Sequence, residues 1–230
     1  MTTESSTVKE VVKMPTSTFF NLADEKREGI IQAAIDEFAV HSYHKSSINQ
    51  IVKKADIAKG SFYHYFKDKE DLFKYILEVA GKKKLEYLDH VLSQLDKLSF
   101  SKVIHELYSA GVKFGQNNPK LQSIGAHFIK AEDNNLKKEI FSKNEDLSNS
   151  LFKELLAKGV NRGEIDPQIN IDLVAFMLTR FSISLTEYYL DQQLKIRENE
   201  MIHLDNSDEI MEIVDDMLYI VMKGVQNKKD

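Results

Sequence analysis

Apolar residues recur at intervals of three and four along most of the chain, and this spacing is typical of amphipathic helices. In the first such segment Ile30, Ile31, Ala34, Ile35 and Phe38 fall on one helical face. No segment of any length alternates apolar and polar residues as a strand would, and no internal repeat is present. The predicted helices span residues of about 23–41, 47–55, 59–66, 68–95, 100–117, 119–131, 136–160, 170–196 and 207–226.

Local signals mark several of the helix starts. Ser47 with Gln50 three residues later forms a capping-box pattern for the second helix, and Asp68 with Asp71 starts the fourth. The predicted fold class is therefore all-α, with three short helices followed by a larger C-terminal helical bundle, about nine helices in all. An apolar group just ahead of the first helix is expected to anchor the entering chain: Phe19, Phe20 and Leu22.

Composition is that of a globular protein, with 230 residues of which 42% are hydrophobic and 29% charged. The chain has no cysteine, which removes disulfides and thiolate chemistry and fits a reducing compartment. Its first residues lack the apolar core of a signal peptide, and no apolar run approaches the length of a membrane span. We therefore expect a soluble cytoplasmic protein with no membrane partner.

Charge is distributed unevenly along the chain. The net charge of the whole is −5, but residues 41–84 alone carry +5 and the remainder carries −10. Solvated helix faces would explain such an asymmetry in the simplest way. The alternative is a polarised molecule whose basic end binds an anionic polymer.

Enzyme signatures are weak in this sequence. It has no glycine-rich phosphate loop and no Ser–His–acid pattern with local support. Glu200 and His203 form a Glu-x-x-His of the kind used in di-iron bundles, but such sites need a second copy on facing helices. We therefore expect no catalytic residues, no metal and no cofactor. A ferritin-like enzyme without DNA binding remains an alternative interpretation.

Residues 47–66 pair two short helices across a three-residue break, which is the pattern of a helix-turn-helix whose second helix enters the DNA major groove. Phe62 and Phe66, four apart, are expected to face the core. The expected DNA-facing set supplies hydrogen-bond donors and a close backbone approach to phosphate: Ser46, Ser47, Lys59, Gly60, Ser61, Tyr63, His64 and Tyr65. Either tyrosine could instead be a core aromatic, although both cannot share the narrow face with Phe62 and Phe66.

The stretch KREGIIQAAIDEFAVHSYHKSSINQIVKKADIAKGSFYHYFKDKEDLFKYI, residues 26–76, resembles the DNA-binding domain of the tetracycline-repressor (TetR) family. The resemblance implies a recognition helix at about 59–65, a homodimer and a C-terminal ligand pocket. It implies phosphate contacts for Ser47, Lys59, Tyr63, His64 and Lys69, and Lys67 completes the candidate DNA-binding set. One departure is Asp56, which stands in the turn where the family commonly has glycine; Asp tolerates left-handed backbone, so the turn is expected to persist.

The resemblance implies a ligand-responsive regulator, expected to be a repressor that binds a palindromic double-stranded operator and is released by a small-molecule effector. A helical protein–protein adaptor without DNA binding is the alternative. The predicted organisation is a tail at 1–20, a helix-turn-helix domain at 21–67 and a ligand-binding and dimerisation domain at 68–227. The last two long helices are apolar over more than one face, which simple core packing would explain and which also suits a dimer interface; the resemblance favours the interface.

Gly111 and Gly115 lie one turn apart in the predicted helix at 100–117. Each destabilises a helix interior by about 1 kcal/mol relative to alanine, so the pair requires a structural or functional reason. They indicate either close helix contact or room for a ligand, and the sequence does not separate these two. The candidate ligand-binding residues are Tyr108, Gly111, Phe114, Gly115, His127 and Phe128.

Overall fold

The computed structural model describes residues 15–131, 134–193 and 207–225, and these residues form helices joined by short connections. The all-α prediction is confirmed, with ten helices in the described ranges where about nine were expected. The additional one is a single turn at the start, where the sequence indicated an apolar anchor. The helices are α1 Ser17–Phe20, α2 Asp24–Val40, α3 Ile48–Lys54, α4 Lys59–Tyr65, α5 Lys69–Leu92, α6 Phe100–Asn117, α7 Pro119–Lys130, α8 Asn134–Asn161, α9 Ile171–Gln193 and α10 Ser207–Val225.

The short helix α1 is bound to the end of α4. Thr16 donates its backbone N–H to the Tyr65 carbonyl at 3.1 Å and its hydroxyl to the His64 carbonyl at 2.7 Å. These carbonyls lie at the C-terminal end of α4, where a helix leaves its acceptors without internal partners. Phe19 is fully buried beside them, whereas Phe20 remains 51% exposed. The anchor is therefore Phe19 together with Thr16.

The side-chain cap predicted at the start of α3 is not formed, whereas the cap predicted at the start of α5 is confirmed. Ser47 is the N-cap of α3 but its side chain accepts no capping hydrogen bond. Its backbone N–H donates instead to the carboxylate of Glu37 at 2.8 Å, so a residue of α2 takes the role expected of Gln50. At α5 the Asp68 side chain accepts from the Asp71 N–H at 2.9 Å, as the sequence indicated.

Two apolar clusters form the interior. The first cluster joins buried residues of α1–α5, such as Phe38, Phe62 and Ile76, to residues of the following helices, including Phe128 of α7. The second cluster joins the end of α5 to α6, α8, α9 and α10, with Phe100 and Leu156 among its fully buried members. Because the first cluster extends across the predicted domain boundary at 67–68, the N-terminal helices share their core with the bundle.

The outer helices leave apolar surface exposed. Helix α9 packs chiefly on α8, and α10 packs chiefly on α6. Large apolar side chains on their other faces are 43–67% exposed: Leu173, Phe176, Met177, Phe181, Tyr188, Tyr219 and Ile220. None of the described helices is long and apolar enough to cross a membrane.

Candidate functional site

Helices α3 and α4 form the helix-turn-helix that the sequence predicted. The turn between them contains Asp56 with φ of 50°, a left-handed conformation that no other described non-glycine residue adopts. The N–H of Ile57 then donates to the Val52 carbonyl at 3.0 Å, which closes the end of α3. The expectation that Asp56 replaces the usual glycine without loss of the turn is therefore confirmed at the level of backbone geometry.

Helix α4 has a buried face and an open face. Phe62 and Phe66 are fully buried with ring centroids 5.7 Å apart, as predicted. Tyr63 is 50% exposed, and its ring stands edge-on against Phe62 at 5.1 Å. The open face also carries Lys59, Gly60 and His64, with Lys67 exposed just beyond the helix and Ser61 half-buried.

The expectation that Tyr65 faces DNA is wrong. Tyr65 is 6% exposed and belongs to the first apolar cluster. Its ring lies 6.1 Å from that of Phe19, which reaches it from α1. The two tyrosines of α4 thus have different roles: Tyr63 lies on the surface and Tyr65 is packed in the core.

Ser46 also differs from its prediction. It is 6% exposed, and its hydroxyl donates to the Tyr43 carbonyl at 2.7 Å. Its backbone N–H donates to the Ser42 carbonyl at 3.0 Å, so neither group is free for phosphate. Ser46 therefore stabilises the loop before α3, whereas Ser47 remains half-buried at the edge of the surface.

Lys69 supports the same loop. Its ammonium donates to the carbonyls of Ser46 at 3.0 Å and His44 at 3.3 Å, and lies 4.8 Å from the centre of the Tyr43 ring. Burial lowers the pKa of Lys69, partly offset by the nearby charge of Glu37. These contacts give Lys69 a structural role, and its phosphate contact stays a prediction, as do those of the exposed residues.

Helix α7 connects the bundle to α2. Ser123 is fully buried and donates its hydroxyl to the Ala39 carbonyl at 2.8 Å. Burial lowers the pKa of His127, one turn further along α7, and the nearby Phe38 backbone partly offsets this shift. Ala39 belongs to the last turn of α2, so the Ser123 side chain of α7 satisfies a carbonyl that the helix end leaves open.

Asp36 extends this contact to the helix-turn-helix. Its carboxylate accepts from Lys120 of α7 at 2.6 Å, from Gln32 at 2.8 Å and from Lys54 of α3. Burial would raise the pKa of Asp36, but these hydrogen bonds outweigh it and lower the pKa to about 2. Sequence reasoning missed this residue because its partners lie 18 and 84 positions away.

The candidate ligand-binding residues are divided between two places. Tyr108 donates its hydroxyl to Ser182 of α9 at 2.8 Å, and Phe114 stands edge-on to Tyr87 of α5 at 5.6 Å. Phe114 and Phe128 both belong to the first cluster, where Phe128 packs against Phe73 at 5.9 Å, whereas Tyr108 packs against the second cluster. His127 and Phe128 therefore lie at the contact with the N-terminal helices, away from the side of α6 that Tyr108 occupies.

Gly111 does not mark a close helix contact. A β-carbon added there would meet Lys84 Cε at 3.9 Å, an ordinary contact distance, and no other side chain comes within 4 Å. Gly115, one turn on, is buried. The position beside Gly111 is taken by the Lys84 side chain at ordinary contact distance, and the ligand-binding role of the pair stays a prediction.

A shallow groove of about 510 Å³ lies elsewhere, between the start of α6 and α10. It is lined by Lys102, His105, Asp215 and Tyr219 among others, and by none of the candidate ligand residues. The groove adjoins the exposed apolar face of α10. Within the described ranges no three His, Cys, Asp or Glu residues are grouped to hold a metal ion, and Glu200 and His203 lie outside those ranges.

Comparison with known proteins identifies the helix-turn-helix region. Residues 30–76 match the family described as bacterial regulatory proteins, tetR family. The chain is 24% identical over 207 residues to the fatty acid metabolism regulator protein of Bacillus subtilis strain 168, covering 86% of this chain and 95% of the relative. It is 27% identical over 160 residues to the transcriptional repressor KstR2 of Mycolicibacterium smegmatis, covering 65% and 72% of the two chains.

The fold is likewise similar to a solved one. The crystal structure of the transcriptional regulator FadR from Bacillus subtilis in complex with stearoyl-CoA superposes with a TM-score of 0.64. The match covers 86% of this chain and 99% of that chain at 17% identity. The similarity therefore extends through the bundle as well as the N-terminal helices.

Proposed function

We propose that the chain is a homodimeric repressor of the tetR family of bacterial regulatory proteins, which its residues 30–76 match, and that a small-molecule effector releases it from a palindromic operator. The observation that carries the proposal is the open face of α4. That face presents Lys59, Tyr63 and His64 to solvent while Phe62 and Phe66 hold the helix on the core. Such a helix can enter a major groove and offer donors to base edges and phosphates.

Dimerisation is supported by the exposed apolar faces of α9 and α10. Monomeric proteins rarely leave large apolar side chains contiguous on their surface, and such patches mark interfaces. On α9, Leu173, Met177 and Phe181 follow one another at one-turn spacing with Phe176 beside Met177, and each of the four is at least 43% exposed. Two recognition helices held by one symmetric interface would read two half-sites related by the same symmetry.

The effector is proposed to bind within the bundle and to carry an acyl chain. Two observations support this class: a relative is a regulator of fatty acid metabolism, and a solved relative holds stearoyl-CoA. We place this chain beside Gly111, where an added β-carbon would contact only Lys84 Cε at 3.9 Å, next to apolar residues of the second cluster. Apolar interior space with a few polar groups is the usual form of a ligand site.

Release would follow from a change in spacing between the two recognition helices. The contacts of α7 with the end of α2, through Ser123 and His127, and with Asp36, through Lys120, couple the bundle to the helix-turn-helix. A ligand that displaces α7 would therefore move α2 and α3 with it.

The two tyrosines of α4 provide a matched test of the DNA-binding face. Tyr63→Ala is expected to weaken binding to DNA from upstream of the protein's own gene by about tenfold to a hundredfold, because it removes an exposed contact group. Its melting temperature should equal that of the wild type. Binding is measured by mobility shift at fixed salt, since such affinities depend steeply on ionic strength.

Tyr65→Ala is the control, because this residue is buried two positions away. It should lower the melting temperature, since it leaves a cavity beside Phe19. A Tyr63→Ala protein that binds operator like the wild type would remove the proposed DNA face, and failure of the wild type to bind any upstream fragment would favour an adaptor.

A further inference from the structure

Helix α1 lies outside the part of the chain that a helix-turn-helix requires. The family match begins at residue 30, and the two helices of the motif, α3 and α4, begin still later. Yet α1 packs on α4, the helix whose open face carries most of the candidate DNA-binding residues. A single turn of four residues has almost no stability of its own, so the contacts that α1 makes with α4 must hold it there.

Thr16 joins the two helices. It is the N-cap residue of α1, where a threonine hydroxyl usually accepts a hydrogen bond from the first turn of its own helix. That bond is not formed, and the hydroxyl donates to the His64 carbonyl at 2.7 Å instead. The backbone N–H of Thr16 donates to the next carbonyl, that of Tyr65, at 3.1 Å. One residue therefore begins α1 and closes the end of α4.

The end of α4 lacks a common means of closing a helix. Many helices end in a left-handed residue, usually glycine, after which N–H groups return to the last carbonyls. Here Phe66 follows the helix in an extended conformation, with φ of −131° and ψ of 141°, and its N–H donates to the Phe62 carbonyl. The carbonyls of His64 and Tyr65 accept from Thr16 instead. The last turn of α4 thus depends on a segment outside the motif.

Phe19 fixes the same end of α4 from the core side. Its ring is fully buried, with its centre 4.9 Å from that of Phe66 and 6.1 Å from that of Tyr65. It also stands edge-on to Tyr75 of α5 at 5.4 Å. A helix of only seven residues is held in place mainly by its packing. The aromatic contacts therefore restrict the rotation of α4, and the bonds from Thr16 restrict its tilt.

The end of α4 that α1 holds also carries two exposed candidate DNA contacts, Tyr63 and His64. His64 is the residue whose own carbonyl accepts the Thr16 hydroxyl. Hydrogen bonds to base edges require distances of about 2.7–3.2 Å and good alignment, whereas attraction to phosphate acts over roughly 10 Å at moderate salt. A small tilt of α4 would therefore weaken base recognition and leave the electrostatic attraction in place.

We propose that residues 15–20 form a clamp that fixes the orientation of the recognition helix, and that Thr16 is the positioning residue of this clamp. Its hydroxyl supports operator specificity through the His64 carbonyl, without contacting DNA itself. This inference rests on the proposed function, in which α4 recognises the operator. It adds a residue outside the helix-turn-helix on which that recognition depends.

Thr16→Val tests the clamp because it keeps the size of the side chain and removes the hydroxyl donor. Since this hydroxyl makes no capping bond in α1, the change acts on α4. Affinity is measured by mobility shift for an upstream operator fragment and for unrelated DNA of equal length, at several salt concentrations. Loss of one hydrogen bond should weaken operator binding about threefold for each half-site, and hence about tenfold for the dimer.

Unrelated DNA separates recognition from general attraction in the same measurements. Thr16→Val should bind unrelated DNA with the affinity and the salt dependence of the wild type, since the phosphate contacts remain. Thr16→Ser keeps the hydroxyl and should bind the operator like the wild type. Thr18→Val is the matched control, because Thr18 is exposed on the same turn of α1, and it should also retain operator affinity.

A double variant with Tyr63→Ala distinguishes positioning from a loss of stability. If Thr16 acts through the exposed groups of α4, Thr16→Val should cost less operator affinity in the Tyr63→Ala protein than in the wild type. A general loss of stability would instead add to the effect of Tyr63→Ala, and would weaken binding to unrelated DNA as well. Melting temperatures of all variants are recorded alongside.

The clamp is rejected if Thr16→Val binds the operator like the wild type, or if Thr16→Ser or Thr18→Val loses as much affinity as Thr16→Val. It is also rejected if affinity for unrelated DNA falls equally, or if the Tyr63→Ala protein shows the full loss. A wild type that prefers no upstream fragment would contradict both the proposed function and the clamp. Specificity that depends on Thr16, in an operator complex that lauroyl-CoA leaves intact, would support the clamp and contradict the proposed acyl effector.

Discussion

A Phe176→Asp variant is expected to be monomeric and to lose specific operator binding by about three orders of magnitude or more. Phe176 is 52% exposed at the centre of the apolar stripe of α9, whose opposite face packs on α8. A carboxylate buried in an apolar dimer interface is strongly unfavourable, and the nearby cation of Arg180 is already paired with Glu145 at 2.7 Å. A monomer has one recognition helix, so its affinity should fall towards the non-specific level, which is about a thousandfold or more weaker than specific binding.

The measurement combines light scattering on a sizing column with a mobility shift on the operator. Leu147→Asp is the matched control, because Leu147 is 65% exposed but lies on α8, away from the stripe. It should stay dimeric and bind DNA normally. Circular dichroism should show unchanged helix content for both variants, and a Phe176→Asp protein that remains dimeric would place the interface elsewhere.

The sequence predicted the helix-turn-helix well because its signals are local. The cap at Asp68, the left-handed turn at Asp56 and the inward pair Phe62 and Phe66 depend on neighbours within a few positions. In each case propensity, turn chemistry and apolar spacing favour the same local structure. Agreement among these local signals is what makes an element predictable from sequence.

The wrong predictions concern residues whose surroundings are set by a segment distant in the sequence. Tyr65 is buried because α1 brings Phe19 onto it, and the start of α3 is capped by Glu37 of α2 rather than by Gln50. Helical spacing gave no indication of either contact. His127 and Phe128 were grouped with Tyr108 on sequence grounds, but the docking of α7 on α2 turns them towards the N-terminal helices.

Lys84 illustrates a different limit of prediction from the sequence. Its position on the inward stripe of α5 is readable from the sequence, since Ile76, Ala80, Tyr87 and Val91 bracket it at helical spacing. From the sequence alone, a lysine at this position could equally belong to the exposed run Lys82–Lys84. In the fold both apply, because Lys84 is exposed like Lys82 and Lys83 while its side chain lies beside Gly111 of α6.

Asp36→Asn is expected to destabilise the protein by about 2 kcal/mol at neutral pH. Burial alone would raise the pKa of Asp36, but hydrogen bonds from Lys120, Lys54 and Gln32 lower it from 3.8 to about 2. A tenfold change in proton affinity corresponds to about 1.4 kcal/mol, and solvent around the two lysines reduces the total. An asparagine keeps the shape but loses both charge-assisted contacts.

The pH dependence of this effect has a defined direction. A carboxyl whose pKa is lowered by folding stabilises the folded state above its unfolded pKa and loses that contribution as pH falls through the folded value. The difference between the wild type and Asp36→Asn should therefore be complete above about pH 5 and shrink between about pH 4 and pH 2. Urea unfolding at a series of pH values measures it, with Asp24→Asn as the control because Asp24 is 93% exposed on the same helix.

Function should depend on the two lysines separately. Lys120→Met removes the contact from α7 and leaves Lys54 on Asp36, so operator affinity without effector should persist while more lauroyl-CoA is needed for release. Lys54→Met removes the contact to α3 and should weaken release in the same direction, because either loss interrupts the same connection between α7 and α3. Combining the two should add little to either alone, since Asp36 joins them in series. Release curves identical to the wild type in both variants would mean that Ser123 and His127 carry the coupling, and that Asp36 contributes stability alone.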